Sequence, residues 1–305
     1  MARNDFTLPS SAEGRHIGCS EWPAEGTPIA TLQVVHGMCE NILCYHGLAD
    51  FLASDGVTMY GHDHLGHGRS AEAGFGYFAD ERGDDYLIED AHILSEEIAR
   101  RNPGIPHFIL GFSLGSFVVR RLMIRYGEQY DGFVIAGSGN LPKSLIGFAI
   151  WYAERMIRRH GPKSYSDLVE KRAFGKFNSK FTEPDHPDRW LSHDMLVLTE
   201  YQDDPSVGFR FTISAYRDMF KMIRDLVVRK DFERIPKDKP VLLISGKMDP
   251  LGDYGSGVEK VERDLNDFGI STDNRIYPGL RHVILKGEGT EKVRDDLLGW
   301  IRSNL

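Results

Sequence analysis

The chain of 305 residues is 41% hydrophobic and 27% charged, with a formal net charge of −8 and a pI near 5.8. That composition excludes a disordered chain, and the negative charge works against nucleic acid and anionic membranes as general partners. No stretch approaches the ~18 apolar residues of a membrane span.

The N-terminus, Met1 to Ser10, has one Arg and no apolar run after it, so it does not read as a secretory signal. A native start of this kind leads to the expectation of a cytoplasmic protein with no stable membrane insertion. Cys19, Cys39 and Cys44 are an odd, sparse set without a CxxC pair, expected to be free thiols.

Two short runs, His16–Ser20 and Ile29–Val35, bracket the turn-rich segment from Glu21 to Pro28 and predict two antiparallel strands. Helical spacing follows from Asn41 to Ser54, then a short strand, Val57–Tyr60. Leu87, Ile88, Ala91, Leu94 and Ile98 share one side of a helix predicted over Asp85–Arg101, which Pro103 and Gly104 end. His107–Leu110 predicts a strand, Ser116–Tyr126 a helix, and Gly132–Ala136 a strand. Val241–Ser245 and Asn274–Tyr277 are two further strands. Short apolar strands alternating with helices imply a mostly parallel sheet covered on both faces. Between Asn140 and about Asp231 the alternation gives way to helical patterns. The expected organisation is therefore an α/β core over residues 1–140 and 232–305, with a helical cap inserted over 141–231.

Gly111-Phe112-Ser113-Leu114-Gly115 matches G-x-S-x-G, with an apolar strand before it and a helix-forming run after it. A sharp strand-to-helix turn leaves little room beside the serine, hence the flanking glycines. It also sets the nucleophile at a helix N-terminus, where free N–H groups stabilise developing negative charge. A serine needs a base, and the base an orienting acid. Of the four histidines after Ser113, three lie in the inserted segment. His282 follows the last strand, where a base could reach the nucleophile, or where a solvent-exposed loop histidine could sit. Asp249, in the turn after Val241–Ser245, is the expected acid. Asp253 is its rival, placed to suit the dipole of the next helix. Two backbone N–H groups should hold the oxyanion: Leu114, and Met38 in Val34-Val35-His36-Gly37-Met38. The alternative for His36-Gly37 is a turn that merely ends a strand.

These blocks together resemble the α/β-hydrolase superfamily in its lysophospholipase and monoacylglycerol-lipase-like branch. The resemblance is carried by His36-Gly37-Met38-Cys39-Glu40, Asp63-His64-Leu65-Gly66-His67-Gly68-Arg69-Ser70, the Ser113 pentapeptide, Gly246-Lys247-Met248-Asp249 and Gly279-Leu280-Arg281-His282. It covers nearly the whole chain except the cap. Leu65 stands where this branch usually has Arg, a change expected to alter local packing and leave the triad alone.

The resemblance implies an α/β-hydrolase fold and a serine carboxylic-ester hydrolase acting through an acyl-enzyme on Ser113, with His282 and Asp249 completing the triad. No cofactor or metal is expected. The substrate class is a small ester such as a monoacylglycerol or lysophospholipid. His62, His64 and His67 can also be read as an H-x-H-x-x-H zinc cluster. Metallo-hydrolases with such a run usually place Asp where this chain has Gly66, and no second ligand cluster follows. Phe148, Trp151 and Tyr152 are candidates for a substrate pocket or a lipid-facing surface, against ordinary cap packing. A serine aminopeptidase or amidase, and a ligand-binding protein on a hydrolase fold, remain as other functions.

Overall fold

The computed structural model describes residues 3–305. In chain order its strands are β1 (Asn4–Pro9), β2 (His16–Trp22), β3 (Ala30–Val35), β4 (Val57–His62), β5 (His107–Phe112), β6 (Gly132–Ala136), β7 (Val241–Gly246) and β8 (Thr272–Tyr277). The helices are α1 (His46–Ala53), α2 (Gly83–Arg101), α3 (Leu114–Tyr126), α4 (Lys143–His160), α5 (Asp167–Phe174), α6 (Met195–Asp203), α7 (Ile213–Leu226), α8 (Ser256–Asn266) and α9 (Glu291–Ser303). The eight strands form one sheet in the order β1-β2-β4-β3-β5-β6-β7-β8. From β4 through β8 every pairing is parallel, while β1–β2 and β2–β4 are antiparallel.

Strand periodicity divides the core. Side chains two residues apart point to the same face of a sheet. Thus Phe108, Leu110 and Phe112 of β5 join Val134 and Ala136 of β6, and Leu242 and Ile244 of β7, beneath α1 and α9. Ile109, Phe133, Ile135, Val241 and Leu243 pack on the other face, with α2, α3, α7 and α8. Helix α2 buries Leu87, Ile88, Ala91, Leu94 and Ile98, the stripe its spacing demands, with Asp84 and Asp85 in its first turn and Arg100 and Arg101 in its last. That charge order suits the helix dipole.

One expected pairing is corrected. The strands containing His16–Ser20 and Ile29–Val35 are not partners, because β4 lies between β2 and β3. Strand β2 takes β1 as its other neighbour, from Asn4↔Glu21 to Pro9↔His16. The N-terminal strand β1 escapes periodicity because it is mostly solvent-exposed and ends on Pro. Strand β3 is buried along its whole length and finds parallel neighbours, which no local turn announces.

Helices α4 to α7 all lie between β6 and β7 in the chain. Helix α4 packs along α7, and α7 also meets α2 and α3. Thr212 caps α7 by accepting the Ala215 N–H, and its hydroxyl donates to the Gly76 carbonyl at 2.9 Å.

The Asp63 segment is a structural knot. The buried Asp63 carboxylate accepts the Ile42 N–H at 2.8 Å and the Arg69 N–H at 3.0 Å, and Arg69 Nε lies at 3.1 Å. Gly68, at φ 42°, sits so close that a methyl group there would meet the Asp63 carboxylate. Asp63→Ala is expected to lose about 3 kcal/mol of stability, because buried donors left without an acceptor cost roughly 1–3 kcal/mol each. A urea titration checks it: an unchanged midpoint at unchanged m would refute this account.

Candidate functional site

Strand β5 feeds directly into α3 through Ser113, whose backbone sits at φ 51° and ψ −115°. A non-glycine residue held there costs about 1–3 kcal/mol, a strain that persists only where the surroundings impose it. They do so by close packing. A methyl group on Gly115 would overlap the Val35 carbonyl oxygen, and one on Gly111 would overlap the Gly115 carbonyl. Only glycine on both sides lets α3 start this close to β3. The turn leaves Ser113 partly accessible, with its N–H bonded to the Ala136 carbonyl at 3.0 Å.

Two loops from parallel strands two and three places along the sheet from β5 reach the serine. The turn after β7 carries Asp249 and the loop after β8 carries His282. Gly246 brings them together, since a methyl there would overlap the Leu280 and Arg281 carbonyls, and the Met248 N–H bonds the Leu280 carbonyl at 2.9 Å. His282 Nε2 lies 2.9 Å from Ser113 Oγ, and its Nδ1 lies 2.9 Å from Asp249 Oδ2. Asp249 is fully buried and His282 nearly so. The second carboxylate oxygen, Oδ1, accepts the Leu251 N–H at 2.8 Å. Asp253 does not reach the histidine: its Oδ2 accepts the Ser256 hydroxyl at 2.5 Å, at the start of α8.

The loop after β3 flanks the serine from the other side. A Cβ on Gly37 would stand 3.2 Å from that of Ser113. Among the described residues, neither the Met38 nor the Leu114 backbone N–H has an acceptor. Backbone N–H groups without an acceptor are the kind of donor that an oxyanion requires.

The inserted segment supplies residues that sequence reasoning had left without a role. Trp190 lies 5.0 Å from the His282 ring and Phe112 lies 4.9 Å from it. Phe177 and Phe174 continue the aromatic wall from Trp190. The chain around His282 is clamped to this segment: Arg281 donates to the carbonyls of Glu183, Arg189 and Ser192, and the Val283 N–H donates to Leu191. Nothing in the Trp190 sequence context signals this, because the contact spans about ninety residues of chain.

Phe148 and Trp151 stand 47% and 53% exposed on α4, 5.8 Å apart. Tyr152, on the same helix, is partly buried against the core. Of the three residues expected to line a pocket, two stand exposed and one packs against the core.

His62, His64 and His67 are buried together with His36. Burial lowers the pKa of all four, His62 to about 3. His36 Nε2 accepts the His64 N–H, and His67 Nε2 accepts the Cys39 N–H. These nitrogens serve as props between loops. Among the described residues, no group of three or more His, Cys, Asp or Glu side chains is arranged to hold a metal ion.

The model of the family described as serine aminopeptidase, S33, matches residues 26–289. The chain is 30% identical to human monoglyceride lipase, over 95% of this chain and 88% of that one. It is 33% identical to a monoglyceride lipase homologue of Monkeypox virus over 94% of each. Among solved structures, a thermostable carboxyl esterase from Bacillus coagulans superposes with a TM-score of 0.92 at 24% identity over 99% of both chains. A soluble variant of the Saccharomyces cerevisiae monoglyceride lipase superposes at 0.77 and 18% identity, over 100% of this chain and 96% of that one.

Proposed function

The chain belongs to the serine aminopeptidase S33 family of α/β-hydrolases and is a carboxylic-ester hydrolase, and from that premise we propose that it cleaves monoacylglycerols or similar small lipid esters through an acyl-enzyme on Ser113. The observation that carries the mechanism is the unbroken chain from Ser113 Oγ through His282 to the buried Asp249, with both links at 2.9 Å.

In this reading His282 Nε2 takes the Ser113 proton as Oγ attacks the ester carbonyl. Asp249 holds Nδ1–H and stabilises the imidazolium that forms. The Met38 and Leu114 N–H groups receive the oxyanion. The alcohol leaves with the proton from His282. Water, deprotonated by the same imidazole, then hydrolyses the acyl-serine and restores the hydroxyl. The segment 141–231 acts as a cap, with Trp190 packing against the base and Arg281 tying the two together.

A lipid substrate is supported by the outer face of α4. Leu145, Phe148 and Trp151 are spaced three apart, and each is about half exposed. Exposed Arg155, Arg158 and Arg159 continue the helix. An apolar stripe beside basic residues suits contact with a dispersed lipid. Among the described residues no helix is long and apolar enough to cross a membrane. Replacing Phe148 and Trp151 together by Ser is expected to raise the apparent KM for dispersed monoacylglycerol by ~10-fold, from apolar side chains worth roughly 1.5–3 kcal/mol when fully buried. Turnover of soluble p-nitrophenyl acetate should not change. Equal losses on both substrates would remove the lipid-contact argument.

The deciding assay compares monoacylglycerols, a p-nitrophenyl ester series and an aminoacyl p-nitroanilide, with and without a chelator. Ester turnover insensitive to the chelator is the expected result. Cleavage of the anilide alone would make the protein an aminopeptidase. No turnover of any substrate would leave a binding role.

A further inference from the structure

We propose that His36, Glu40 and His67 are positioning residues that pin three consecutive peptide groups and thereby turn the Met38 N–H towards the ester oxygen. The inference rests on the reading of Met38 as an oxyanion donor and adds what holds that donor in place.

Three backbone polar groups around Met38 can be followed to a partner. The Gly37 N–H donates to Glu40 Oε1 at 2.5 Å. The Gly37 carbonyl lies 2.8 Å from His36 Nδ1. The Cys39 N–H donates to His67 Nε2 at 3.2 Å. Met38 contributes the one N–H of this run without an acceptor among the described residues.

The His36 contact acts on the decisive peptide. The Gly37 carbonyl and the Met38 N–H belong to one planar trans unit, so they point in opposite directions. Holding the carbonyl against the buried ring therefore aims the N–H away from it. The tautomer follows from the other ring nitrogen: Nε2 accepts the His64 N–H at 3.0 Å, which leaves the proton on Nδ1 to donate to the carbonyl. Burial keeps the ring neutral. A donor on the carbonyl also polarises the peptide and strengthens its N–H.

The other two pins fix the flanking peptides. Glu40 is buried, and the Tyr45 hydroxyl donates to the same Oε1 at 2.6 Å. A methyl group on Gly37 would press on this carboxylate, on Phe112 and on Ser113 at once. Cys39 has φ 57°, a left-handed conformation rare for an L-residue. His67 meets its N–H from a ring enclosed by Phe78, Phe209 and Phe211. The His36, Glu40 and His67 blocks of sequence thus converge on the geometry of a single donor.

The test uses the full chain with p-nitrophenyl butyrate as substrate and active sites counted by exhaustive fluorophosphonate labelling. Two inhibitors separate the states: a trifluoromethyl ketone, which adds to a serine as a tetrahedral oxyanion, and a simple alcohol of matched length, which does not. His36→Ala and Glu40→Ala are expected to lower kcat by about 10- to 1000-fold, the upper range being that for loss of an oxyanion donor, with KM within about threefold. Ketone affinity should fall in step with kcat/KM while alcohol affinity stays constant. His36→Asn, which restores a donor near Nδ1, and Glu40→Gln, which restores an acceptor, should recover most of the loss. Tyr45→Phe, which keeps the carboxylate, should lower kcat by about tenfold, and it decides the matter if the alanine variants fail to fold. Unchanged kcat per labelled site, or ketone and alcohol affinities falling together, overturns the proposal. If Ser113→Ala is inactive while these variants keep full kcat, only the positioning is wrong. A fully active Ser113→Ala removes the mechanism beneath it.

Discussion

Ser113→Ala is expected to lower kcat on esters by about 10⁶-fold, the scale seen when a triad nucleophile is deleted. Removing Oγ takes away both the attacking atom and the proton that His282 Nε2 faces at 2.9 Å. What survives is water attack assisted by the free Met38 and Leu114 donors, worth roughly 10³–10⁴ over the uncatalysed reaction. The fold should be unaffected. Alanine is no worse than serine at φ 51°, and the tight contacts of the turn come from Gly111 and Gly115. The measurement is turnover together with fluorophosphonate labelling of both proteins. A variant that keeps more than about 1% of wild-type kcat, far above the expected residue, would place the nucleophile elsewhere.

The second large effect is Asp249→Asn, expected to lower kcat by about 10⁴-fold with little loss of stability. Its cause is the orientation of the amide. Oδ1 of Asp249 already accepts the Leu251 N–H at 2.8 Å. In the variant the amide oxygen must take that place, which turns the NH₂ group towards His282 Nδ1. The imidazole then accepts at Nδ1 and carries its proton on Nε2, facing Ser113 as a donor. A base in that tautomer cannot take the serine proton. Nitrogen-15 NMR of the His282 ring reports the tautomer, and kcat reports the consequence. Turnover within tenfold of wild type, with the proton still on Nδ1, would show that Asp249 does not orient the base.

Much of this architecture was legible locally. The stripe Leu87, Ile88, Ala91, Leu94 and Ile98 reads as a helix face because neighbours three and four apart share a side, and α2 buries all five. Strand β6 matches its run of five apolar-to-small residues end to end. The serine turn was visible because its demands are local: a strand, a glycine on each side of a crowded bend, and a helix start. The turns holding Asp249 and His282 were visible because each follows a strand, and parallel strands of one sheet bring such turns to a common end.

Other features had no local sign. That β4 separates β2 from β3 depends on which buried strand outcompetes which for a neighbour, a choice made between segments far apart in sequence. Trp190 lies against His282, Arg281 is locked to the inserted segment, and Phe148 and Trp151 face outward. Each depends on how the insertion docks, and periodicity within a helix does not encode docking. His62, His64 and His67 invited a metal reading because spacing along a chain cannot show where ring nitrogens point. The tertiary structure decides that His36 and His67 face backbone groups of the loop beside Ser113. The sequence by itself determined the periods of the elements and the chain order of serine, aspartate and histidine, since both follow from bonded geometry and near neighbours. Only the folded chain decided strand order, the exposure of Phe148 and Trp151 on α4, and the contacts of His36 and His67 around the Met38 peptide, because these arise from partners brought together by burial rather than by sequence proximity.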